Sequence, residues 1–145
     1  MDRKWLYLLA AVCVTVFIFS NSLKNADSSG TESALLLGIL NSIPPFAKVT
    51  HNALRKAAHV TEFAVQGFFL AAFFARTNKK DFDRVIGTAF FGLLTACTDE
   101  FIQLFSAGRS SEVRDVFIDF SGTVAVLLIF AAVRYLGRKC KGKIA

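Results

Sequence analysis

"RKAAHVTEFAVQGFFLAAFF", residues 55–74, begins as a charged surface helix and ends as a membrane span. Arg55, Lys56, His59 and Glu62 fall within its first eight residues, after which only Gln66 interrupts an apolar run lasting to Ala75. An α-helix rises ~1.5 Å per residue, so about twenty residues cross a ~30 Å hydrocarbon core. The stretch is long enough to cross, and it carries ionisable groups into its own first turns. Two questions follow: what fold surrounds such a helix, and what meets its charges.

The rest of the chain answers the first. Three other runs have spanning length: about residues 5–20 ("WLYLLAAVCVTVFIFS"), 85–105 and 116–136, beside 53–75 for the helix already quoted. Hydrophobic residues make up 54 % of the 145-residue chain, with sixteen Phe and two Pro, and they are segregated into these runs. A soluble domain of this size would show amphipathic stripes instead. Continuous apolar runs also exclude the alternation of a membrane barrel. The expected fold is all-α: a polytopic membrane protein with four transmembrane helices, the whole of residues 1–145 forming one domain. A signal peptide is the competing reading of the first run, from Arg3, Lys4 and the Ser20-Asn21-Ser22 stretch. A lipid anchor at Cys13 fits poorly, since Val12 precedes it.

The net charge of +6 does not point to nucleic acid. Its basic residues flank the apolar runs, and no recognition helix, zinc spacing or aromatic-studded basic strand accompanies them. They fit the positive-inside rule better. With both termini inside, eleven Lys and Arg lie on the inner side: Arg3, Lys4, Arg76, Lys79, Lys80, Arg84, Arg134, Arg138, Lys139, Lys141 and Lys143. Six lie outside: Lys24, Lys48, Arg55, Lys56, Arg109 and Arg114. The three cysteines, Cys13, Cys97 and Cys140, show no metal or disulfide spacing. Cys13 and Cys97, inside apolar runs, read as small apolar filler.

The first outer connection contains "SSGTESALLLGILNS", with Ser29 three residues before Glu32 in capping-box register. Its apolar run is too short to span, so an interfacial or re-entrant helix ending before Pro44-Pro45 is expected.

The ionisable groups sort to one side. Positions 55, 59, 62 and 66 step by four, three and four, sharing a face of the second helix. Asp99, Glu100 and Gln103 occupy the last turns of the third, Asp99 and Gln103 being four apart. Asp115 and Asp119 occupy the first turns of the fourth, with Gly122 extending that face, and Arg109 and Arg114 lie in the connection between. All belong to the outer halves. Glu62 lies ~10 Å below its helix start, and Asp99 and Asp119 ~9 Å in, at 1.5 Å per residue. A lone carboxylate at such depth costs at least about 2.5 kcal/mol, so these groups must face one another or water. Mutual ion pairs that fix helix register are one reading. Small residues pack helices in lipid with less penalty, so a polar ligand site is the preferred one. Gly30, Gly38, Gly67, Gly92 and Gly137 read as packing or cap glycines.

At these residues the chain resembles the VanZ-like family of small bacterial membrane proteins. The likeness rests on "RKAAHVTEFAVQG", "TDEFIQLFSAGRS" and "RDVFIDFSGTVAV", in family order and with family-like gaps, and "FSNS" after the first run adds to it. The pattern places Asp or Asn where Asp119 stands. The resemblance implies a role in low-level resistance to teicoplanin, an acylated glycopeptide, and a place in the bacterial cytoplasmic membrane; it implies no settled mechanism.

Three functions compete. The first is an outer-leaflet site for a lipid, a lipid-linked cell-wall precursor or a lipoglycopeptide, formed by Arg55, Lys56, His59, Glu62, Asp99, Glu100, Gln103, Arg109, Asp115 and Asp119. Cations would attract a phosphate or carboxylate head and acids would accept from amines or hydroxyls. The second is a membrane-embedded hydrolase or transferase for a lipid-linked substrate, with His59, Glu62 and Asp99 as catalytic groups and as ligands of a divalent metal. The third is a proton-coupled transporter relaying through His59, Glu62 and Asp99, which would need a homodimer. The amphiphile site needs no cofactor.

Overall fold

The computed structural model describes residues 2–23, 34, 37–39, 41–42, 49–77, 80–106 and 111–141. Among these residues are four long helices: α1 (Arg3–Ser22), α2 (His51–Thr77), α3 (Asp81–Gln103) and α4 (Val113–Lys141). All four are long and apolar enough to cross a membrane, and no strand occurs among the described residues. Each covers its expected span except at one end. Helix α3 stops at Gln103 instead of 105, because Leu104, Phe105 and Ser106 donate to carbonyls three residues back, tightening the last turn. The expected interfacial helix falls mostly outside the described residues. Of its run, residues 34, 37–39 and 41 are helical, and Leu37 is buried.

Helices α2 and α3 form the centre, each touching all three others, while α1 and α4 flank them without closely approaching one another. The outer surface is apolar at mid-height: Leu9, Val12 and Val16 of α1, Phe90 and Leu94 of α3, and Leu128 and Ile129 of α4 are exposed. In lipid such exposure carries no penalty, so small residues and polar ties govern helix approach. Cys13 and Cys97 are free thiols on this exposed surface, not buried filler.

Two features draw the helices together. Thr123 of α4 packs against Gly67 of α2 and Gly92 of α3; a Cβ on Gly92 would come within 2.7 Å of the Thr123 methyl. A Cβ on Gly122 would meet the Val60 carbonyl oxygen at 2.2 Å, so the α2 and α4 backbones touch there. At Gly38 and Gly137, by contrast, a Cβ would meet nothing within 4 Å, so these are not packing glycines. Nearby, Ile18, Phe63 and Ala96 form a buried apolar plug joining α1, α2 and α3, with Phe120 of α4 against it. Buried Gln66 then ties three helices, donating to Thr15 Oγ1 (2.7 Å) and Thr95 Oγ1 (2.9 Å). The plug and this tie form a floor beneath one end of the bundle.

Candidate functional site

The end where α1 and α3 finish and α2 and α4 begin is the polar end. Four titratable side chains are buried among the described residues, His59, Asp99, Glu100 and Asp119, and all four lie there. Their burial follows from helix geometry: Asp99 and Gln103 project from one face of α3, Asp119 from the α4 face that Gly122 brings against α2, and His59 from α2 between them. His59 Nδ1 stands 3.8 Å from Asp99 Oδ2 and 4.0 Å from Asp119 Oδ2. Both separations exceed a hydrogen bond. Ligand atoms of these three residues all lie within 4.8 Å of one another.

Other members of the cluster are better satisfied. Gln103 Nε2 donates to Asp99 Oδ2 (2.8 Å) and Glu100 Oε1 (3.1 Å), and the Glu112 backbone N–H donates to Glu100 Oε2 (3.0 Å). Lys56 of α2 pairs with Asp115 of α4 across the mouth. Arg55, Lys56, His59, Glu100, Gln103, Asp115, Ile118 and Asp119 line a pocket of about 10 Å³, room for one water or ion. Asp99 Oδ1 and Asp119 Oδ2 are buried with no hydrogen-bond partner among the described residues. An unmet buried acceptor costs about 1–3 kcal/mol. That demand is what marks the pocket.

Most of the expected site residues are therefore together, with one exception among the described residues. Glu62 turns towards α1, accepting from Asn21 Nδ2 at 3.0 Å. Among the described residues, those near enough to share a metal ion are His59, Asp99 and Asp119, where His59, Glu62 and Asp99 were expected; a three-residue step turns Glu62 by about 60° from His59. Arg109 lies outside the described residues, and Arg114 is exposed. Two contributions were not foreseen from the sequence, one from α1 and one from the α3 end: Asn21 on Glu62, and Ser106 Oγ donating to the Ser22 carbonyl at 2.6 Å. The "FSNS" that ends α1 was the available signal.

Four apolar spans enclosing a buried acid and histidine cluster at one end define a small multi-pass membrane protein with a polar pocket at one end of its helix bundle. The family model for VanZ/LLP1 matches residues 4–134, nearly the whole helical body, and the chain belongs to this family. Searches of curated proteins and of solved structures find no match.

Proposed function

We propose that the protein lies in the bacterial cytoplasmic membrane with both termini inside, and that its polar end binds the head of an amphiphile at the outer leaflet. The Lys and Arg distribution supports that orientation. The observation that carries the reading is the pocket mouth: Arg55 and Lys56 stand over a buried polar hollow while Phe101, Leu104, Phe105, Val113 and Phe117 are exposed beside it. A phosphate or carboxylate competes with Asp115 for Lys56, and acyl chains lie along the Phe-rich faces of α3 and α4. The hollow below admits nothing larger than an ion, so the head seats at the mouth. A lipid, a lipid-linked wall precursor or a lipoglycopeptide has this chemistry. The low-level teicoplanin resistance that the family resemblance implies follows if the ligand is the acylated glycopeptide or its wall target.

Two experiments test this. Titration of the purified protein with amphiphiles of equal chain length but anionic or zwitterionic heads should show preference for the anionic head, lost in Arg55→Gln/Lys56→Gln. Equal affinity in wild type and variant would end the proposal. For orientation, Ser replaces the three native cysteines, and Asn52→Cys and Lys139→Cys proteins are exposed to an impermeant maleimide on intact cells. Labelling is expected at 52 and not at 139; the reverse would invert the topology.

A second reading has its own observation. His59, Asp99 and Asp119 hold a ligand set suited to metal-assisted hydrolysis or transfer on a lipid-linked substrate. Turnover of such a substrate, abolished by chelator, would favour it over simple binding.

A further inference from the structure

Among the described residues, the one basic group within ion-pair distance of Asp99 and Asp119 is His59. Lys56, the nearest lysine on α2, is engaged by Asp115. Glu100 has both oxygens occupied by N–H donors. Beside them, ligand atoms of His59, Asp99 and Asp119 lie within 4.8 Å of one another, and His59 and Asp119 line the hollow of about 10 Å³. Asp99 is fully buried and Asp119 is 3 % exposed, and each holds one oxygen without a hydrogen-bond donor among the described residues.

We infer that His59 Nδ1 and one oxygen each of Asp99 and Asp119 bind a single divalent transition-metal ion, Zn²⁺ in the first instance. Three arguments fix the class. The imidazole favours Zn²⁺ and its first-row neighbours over Mg²⁺ and Ca²⁺, and the absence of a thiolate from the set disfavours soft ions. Ligand atoms at 2.0–2.1 Å from a tetrahedral ion lie about 3.3 Å apart. The observed 3.8 and 4.0 Å exceed this by about 0.5 and 0.7 Å, and all three ligand atoms lie within 4.8 Å of one another, so closing on an ion takes small side-chain shifts. Finally, Gln103 Nε2 on Asp99 Oδ2 is the outer-shell bond that aims a ligating carboxylate. Three protein ligands leave a fourth position towards the mouth, where an anionic head can complete the shell. The inference thus rests on reading the polar end as a ligand site and deepens it: the ion forms the floor against which the head binds.

The test uses tag-free, full-length protein in a neutral glycoside detergent, stripped with chelator and titrated with ZnCl₂ and separately with CoCl₂, no amphiphile being added. One equivalent of Zn²⁺ should bind per chain, and Co²⁺ should give visible absorption bands that Zn²⁺ bleaches. Asp99→Asn and Asp119→Asn should each weaken binding by more than about 100-fold, and Gln103→Leu by about 10–100-fold. Asp81→Asn and His51→Ala should bind as wild type. No saturable Zn²⁺ in the wild-type protein, or equal binding in an Asp99→Asn/Asp119→Asn double variant, overturns the inference. The wild-type Co²⁺ spectrum decides alone if the variants fail to fold. Amphiphile binding to the stripped protein is measured apart, so that loss of either result is distinguishable from loss of the other.

Discussion

Both ends of the bundle are rich in charge, and they use it in opposite ways. At the end holding the termini, Asp81 forms ion pairs with Arg84 (3.0 Å), Arg134 (2.6 Å) and Arg138 (2.5 Å). These four side chains are between 20 % and 70 % exposed, so water shares their solvation. At the polar end, Asp99 and Asp119 are buried, each with one oxygen that meets no donor among the described residues. Closely bridged surface charges contribute little and need no ligand. Buried charges with unmet bonds are costly and persist where a partner compensates them. The contrast teaches that the number of charges does not make a site; their unmet demand under burial does.

The contrast can be broken most severely through the backbone. Gly122→Ala drives a methyl into the Val60 carbonyl and should cost about 3 kcal/mol or more, read as collapse of the folded, monodisperse fraction. Gly137→Ala, with open space around it, should be neutral or stabilise by up to about 1 kcal/mol. Similar losses from both would mean that the ends pack alike.

The charge variants sharpen the comparison. If Asp119 is held ready for a ligand and not by its contacts, Asp119→Asn should raise the stability of the ion-free protein by about 1–2 kcal/mol. A fall of that size in a thermal scan would reassign Asp119 to helix fixing. Asp81→Asn should leave the scan unchanged. Smallest is Gln66→Leu beneath the pocket: it loses two bonds and removes a buried oxygen that lacks a donor, so the net change should stay within about 1 kcal/mol.

Much of this was legible in the chain. Apolar runs near twenty residues fix four helices almost without reference to packing, and four-residue spacing puts Asp99 with Gln103 and Asp115 with Asp119 on their faces. Rotation about each helix axis was not legible. His59 and Glu62 share a broad face in sequence, yet the small angle between them sends one to α4 and the other to α1. Nor could spacing reveal that Asn21 reaches Glu62 and that the Ser22 carbonyl accepts from Ser106, because small polar residues at a helix end carry no period. Thr123 seated between Gly67 and Gly92 likewise becomes visible only when three helices are brought together.

The difference between the ends is tested most directly by native mass spectrometry of the protein with an anionic amphiphile, comparing Lys56→Gln with Arg138→Gln. Each variant removes one cation from one end. Loss of a charge-assisted hydrogen bond predicts about a tenfold drop in affinity for Lys56→Gln, with Arg138→Gln indistinguishable from wild type. A drop in Arg138→Gln with Lys56→Gln unaffected would contradict the account.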